Sequence, residues 1–146
     1  MKGMQQEQGS AVIEVVALGV LLMLPVAYLV LVLGRVQAAS FAANGAAREA
    51  TRAFVTSASN AEAERRAMVS SELVLQDHGF DRKAGTIKIT CSGSPCLTPG
   101  ERVAVEVRVT ARFPWLPVGL ADALHTRVVV ISSQVETVDE FKEIRR

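Results

Sequence analysis

Aromatic residues are scarce in this chain of 146 residues, which has five Phe, one Trp and one Tyr. So few rings supply no platform on which nucleobases could stack. Excess charge is lacking too: 16 Lys and Arg stand against 15 Asp and Glu, and the signs are interspersed. A net charge of +1 gives no basic stripe of the kind duplex nucleic acid requires. Two cysteines are too few for a disulfide scaffold and enough for one local staple. There is no Gly-rich phosphate loop, no nucleophile elbow and no Cys-x-x-Cys pair. The expectation is a protein that is not an enzyme and carries neither cofactor nor metal.

What is present is a long apolar run. From Val15 to Gly34 there is no charged residue. As a helix rising 1.5 Å per residue, such a run covers roughly 30 Å, the thickness of a bilayer's hydrocarbon core. It shows no polar face, which argues against a soluble amphipathic helix. A secretory signal is the main competitor, with Val36-Gln37-Ala38 as a small-residue site and cleavage after Ala38. Signal cores usually run about 7–15 residues, so the length favours a retained single-pass membrane span. Pro25 lies mid-span, where a membrane helix tolerates a kink because neighbours can satisfy the freed carbonyl. Whether it is a tolerated kink or a flexible point stays open. Glu14 stands at the mouth of the span, where a carboxylate is costly and calls for a partner or a role.

Beyond Gly34 roughly 110 residues remain, sufficient for one modest core. Alanines from Ala38 to Ala53 favour a continuation of the helix, and Val36, Ser40, Ala43, Ala47, Ala50 and Phe54 share one stripe. One helix from near Ser10 to about Thr56 would be roughly 70 Å long. Gly45 weakens its interior slightly. Ser57-Ala58-Ser59-Asn60 reads as a break, and Ser59 with Glu62 matches a capping box that opens a second helix. That helix is expected to reach about His78, to turn Ala63, Ala67, Val74, Met68 and Leu75 inward, and to stop at Gly79.

From Gly85 the period becomes two. Thr86–Thr90 and Val103–Val109 alternate, with the four valines 103, 105, 107 and 109 on the core face and Glu106 and Arg108 toward water. The turn-rich stretch from Cys91 to Gly100 joins them as a hairpin. Cys91 and Cys96 close a six-residue loop, which a disulfide would rigidify outside the cytoplasm. Zinc held by these cysteines with His78 and His125 would fit no finger spacing. Prolines exclude Phe113–Pro117 from a central strand, leaving Phe113 and Trp115 as a partner patch or a lid on a sheet edge. The run from Thr126 to Thr137 is apolar on both faces and reads as a third, more central strand. A charged tail, 139–146, closes the chain.

Gln8-Gly9-Ser10-Ala11-Val12-Ile13-Glu14, set between a short polar leader and a membrane-length run, resembles the processing site of type IV pilins. Together with Leu24-Pro25, the short Cys-to-Cys loop and the valine-alternating strand, the chain is similar to TadE-like minor pilins of the tight-adherence (Flp) pilus system. Major Flp pilins often carry Tyr after the glutamate, and Val15 stands here, which points to a minor component. The resemblance implies an α+β, pilin-like fold. It divides the chain into leader 1–9, transmembrane helix 10–34, extracytoplasmic helical segment 35–80, antiparallel β domain 81–138 and tail. It further implies prepilin-peptidase cleavage between Gly9 and Ser10, and pairing of Glu14 with the new α-amine of Ser10 on a neighbouring subunit. Implied partners are the peptidase, other Flp pilins, an inner-membrane assembly platform, a cytoplasmic ATPase and membrane lipid, with homo- or hetero-oligomers forming through the N-terminal helices. The output would be adhesion or DNA uptake by the whole apparatus.

Orientation rests on this resemblance, which needs a cytoplasmic N-terminus, and on the cysteine pair, which suits the other side. The Lys/Arg count, with Lys2 before the span and Arg35, Arg48 and Arg52 after it, does not favour that orientation. The competing function is a single-pass anchor for an extracytoplasmic binding domain.

Overall fold

The computed structural model describes residues 6–113 and 127–141, with side chains from Ala11 onward. Two helices precede a three-stranded sheet: α1 (Gln6–Val55), α2 (Asn60–Asp77), β1 (Gly85–Cys91), β2 (Arg102–Arg112) and β3 (Arg127–Thr137), with a short 3-10 turn over Arg82–Ala84. The architecture is α+β. The chain divides into two units, Met1–Gly34 and Arg35–Arg146.

In the first unit α1 presents apolar side chains on every side. Val12, Leu22, Met23 and Leu33 are each more than half exposed, and among the described residues the apolar segment has no buried share. The helix continues through Pro25, whose missing N–H removes the intrahelical partner of the Leu21 carbonyl. By length and composition this stretch suits one membrane span or a signal anchor.

In the second unit the rest of α1 becomes part of a core. Ala39, Ala42, Ala43, Ala46, Ala47, Ala50 and Phe54 are sealed from solvent, together with Val103, Val105, Val107, Val109 and Ala111 of β2. The expected stripe is there and is wider than expected, because alanine is small enough to pack at positions flanking it. Gly45 has a role that its helix propensity conceals. A Cβ at this position would lie 3.1 Å from Val74 Cγ1, so the missing side chain lets α2 approach α1 closely.

α1 closes through hydroxyls, with Ser57 Oγ donating to the Ala53 carbonyl at 2.6 Å and Thr56 Oγ1 to that of Arg52 at 2.8 Å. Ser59 caps α2 by accepting from the Glu62 N–H at 3.4 Å. The Glu62 carboxylate lies 3.8 Å from Arg66, one turn on. The buried row of α2 is Ala63, Ala67, Ser71 and Leu75, spaced every fourth residue. Met68 is a correction: expected to face inward, it is half exposed, because it sits one residue and about 100° beyond Ala67. Val74 is half-buried against Gly45. At its C-terminus α2 ends in a Schellman arrangement. Phe80 N–H bonds to the Leu75 carbonyl and Gly79 N–H to that of Gln76, both at 2.9 Å, with Gly79 at φ +72° and Leu75 and Phe80 buried together.

β1 and β2 form the expected antiparallel hairpin, Gly85 opposite Val109 and Cys91 opposite Val103. All four alternating valines are fully buried. β3 departs from expectation. The sheet order is β1-β2-β3, so β2 is central and β3 lies at an edge. Its two-faced apolar sequence does not reflect burial on two faces. Val129, Ile131 and Val135 are each just over half exposed, while Val128 and Val130 point inward and are only half-buried. The inner face of β3 turns polar at Ser132, whose Oγ donates to Asn44 Oδ1 of α1 at 2.6 Å.

Candidate functional site

Two regions hold most of the residues singled out in the sequence. The first is the N-terminal part of α1. Gly9 and Ser10 lie within the helix, and Glu14 follows Ser10 by four residues, so both fall on one face. Glu14 is exposed, and among the described residues no hydrogen bond or ion pair engages it. The carboxylate thus has its acceptor capacity open at the start of the apolar stretch. That is the state in which a cationic partner in a low-dielectric setting would gain most.

The second is the loop between β1 and β2. Cys91 and Cys96 form a disulfide with their Cα atoms 5.2 Å apart. The bridge takes up both thiols, so neither serves as a metal ligand. Ser92 fastens the loop's base: it accepts from the Arg102 N–H at 2.8 Å and donates to the Glu101 carboxylate. Thr98 Oγ1 donates to the Pro95 carbonyl at 2.7 Å, after a cis Ser94-Pro95 bond. The far end of the loop is tied to the chain leaving β3. Gly100 N–H bonds to the Val138 carbonyl at 3.0 Å and Val138 N–H to that of Glu101 at 2.8 Å, with Val138 fully buried. The loop is therefore held at both ends and across its middle.

Phe113 is half-buried just after β2, and Trp115 and His125 lie outside the described residues. His78 is the C-cap residue of α2, exposed, with Nδ1 2.9 Å from the Val74 carbonyl. Among the described residues no group of three His, Cys, Asp or Glu converges as a metal site would require.

A third feature is absent from the sequence reading. Arg35, Arg82, Lys83, Arg112 and Arg127 line one hollow of about 810 Å³ in the second unit, with Asp81. Four separate stretches of chain supply the cations. Arg35 opens the second unit on α1, Arg82 and Lys83 follow α2, and Arg112 and Arg127 face each other as the last residue of β2 and the first of β3. The Arg35 guanidinium donates to the Gly79 carbonyl at 3.1 Å and stacks 4.2 Å above the buried Phe80 ring. Only the register and the helix ending bring these residues together, so no linear motif announces them. The one available signal is that Arg35 ends the uncharged run, while Arg82, Arg112 and Arg127 are terminal residues of their elements. A second hollow, about 550 Å³ between α1 and α2, is lined by Arg52, Arg65, Arg66 and Glu49 around Val69 and Leu73.

No family model matches the chain, and no curated protein or solved structure matches it either.

Proposed function

We propose that this chain is a minor pilin or pseudopilin of a Flp-type pilus. It enters the cytoplasmic membrane as a prepilin, is cut between Gly9 and Ser10, and assembles through its N-terminal helix. Glu14 then pairs with the α-amine of Ser10 on a neighbouring subunit and sets the axial register. The observation carrying this reading is a carboxylate, Glu14, with no partner among the described residues, at the entrance of an exposed apolar helix whose later part belongs to a small α+β domain. A buried ion pair is favourable only when both charges meet in good geometry, so an unmatched subunit would be rejected. This makes Glu14 a ruler for assembly.

Retention of the helix is supported by the environment of the competing signal site. Ala38 and Ala39 lie inside α1, and Ala39 is fully buried in the domain core. A disulfide in the domain supports placing it outside the cytoplasm. The test is the N-terminal residue of the mature protein, read by intact mass from membranes of the producing cell. A chain starting at Ser10 is the expected result. A start at Met1 would leave the anchored binding domain, and a start at Ala39 would remove the span altogether.

A further inference from the structure

We propose that the hollow lined by Arg35, Arg82, Lys83, Arg112 and Arg127 is a docking surface for anionic phospholipid headgroups. It would hold the domain's base against the leaflet from which its own span emerges. The inference rests on reading the first part of α1 as a membrane span, and not on the pilus.

Three observations carry it. The first is charge segregation. Five cations surround one carboxylate, Asp81, in a protein whose net charge is only +1, so the remainder of the chain is net acidic. Arg82 is 3.4 Å from Glu72 but its side chain remains largely exposed, and Lys83 and Arg112 are exposed as well. The second is covalent position. Arg35 directly follows Gly34, the last residue of the uncharged run, and at 1.5 Å per residue it emerges in the headgroup layer of any bilayer that run spans. The third is rigidity. The bond from Arg35 to Gly79 and its stacking on Phe80 fix this interfacial residue to the end of α2, beside Arg82 and Lys83. A cluster that includes the residue leaving the bilayer meets lipid phosphodiesters before any soluble anion. Arginine guanidinium groups, which bind phosphate oxygens through paired donors, suit that ligand.

The test uses the full chain in nanodiscs of phosphatidylcholine, and in discs where phosphatidylglycerol replaces a third of it. Hydrogen exchange is read at the amides of Asp81–Ala84 and of Phe113. Phosphatidylglycerol is expected to slow these amides by about fivefold or more, since a single cation near an anionic surface is worth about that factor. The protection should fade in molar salt. It should vanish in Lys83→Glu/Arg112→Glu and persist in Arg65→Glu/Arg66→Glu, which changes net charge equally at the other hollow. Unchanged β2 amides verify the fold of each variant, and Lys83→Gln/Arg112→Gln replaces the reversal if they change. Equal exchange in the two lipids overturns the proposal. So does protection that survives the reversal, is lost equally in the control pair, or is reproduced by inorganic phosphate in phosphatidylcholine discs. A chain that does not co-elute with discs overturns the span, and the docking surface with it. Chains starting at Met1 and at Ser10 should behave alike, which separates this result from the fate of the pilus reading.

Discussion

Single residues here divide into those whose role is chemical and those whose role is geometric, and Glu14 is the clearest of the first kind. It contributes no hydrogen bond or ion pair to the described chain, so Glu14→Ala should leave protein level and membrane insertion unchanged. Under the proposed function it should abolish incorporation into sheared filaments, measured by immunoblot beside the membrane fraction. Loss of the protein from membranes would instead indicate a role in stability. Cys91 and Cys96 belong to the second kind. Replacing both by serine frees a six-residue loop in the unfolded chain and should cost about 2 kcal/mol, seen as a lower urea midpoint of the full chain in mild detergent. The remaining bonds of Ser92 and Thr98 should keep the loop folded in the native state.

Among the elements, α2 shows how much of a helix a sequence announces. Its start at Ser59 and its stop at Gly79 follow from side-chain chemistry next to the backbone, and both are found. Its buried face was only partly legible, because Met68 and Ser71 lie on neighbouring rows and hydrophobicity alone favours the wrong one. Gly79→Ala isolates the ending. A Cβ there would meet nothing closer than Arg35 Nη1 at 3.8 Å, so the cost is the positive φ itself, about 1 kcal/mol. Faster amide exchange in the last turn of α2 would register it, and Gly79→Asn should recover part of the loss. β3 teaches the opposite lesson. Its alternation fits a strand, but whether a strand is central depends on which neighbours pair with it. Here β2 takes both.

For the whole molecule, the division after Gly34 separates two modes of stabilisation. The first unit leaves its apolar surface for a lipid or protein environment to cover, whereas every buried core residue of the second unit lies at Ala39 or beyond. A chain beginning at Arg35 should therefore fold without the span. The expected result is full retention of slow exchange at the amides of Val103–Val109 relative to the full-length protein. Rapid exchange there would mean that the helix preceding Arg35 is needed to nucleate α1. At about 110 residues the domain has enough interior for a cooperative fold, with the disulfide adding to it.

The elements themselves were determined by the sequence alone, because each has a local cause. An uncharged run needs apolar surroundings, alanines extend a helix, serine and glycine cap it, and alternating valines form a half-buried strand. Glu14 also stood out unaided, since a carboxylate at the edge of such a run is conspicuous in one dimension. Tertiary structure decided what depends on contacts between distant stretches. It placed β3 at an edge, made Gly45 a point of close helix approach, and gathered Arg35, Arg82, Lys83, Arg112 and Arg127 around one hollow. Those five cations are separated in sequence by as many as 47 positions between neighbours, and charge carries no periodicity that would reveal their meeting. Only the pairing of Arg112 with Arg127 and the turn after α2 bring them together.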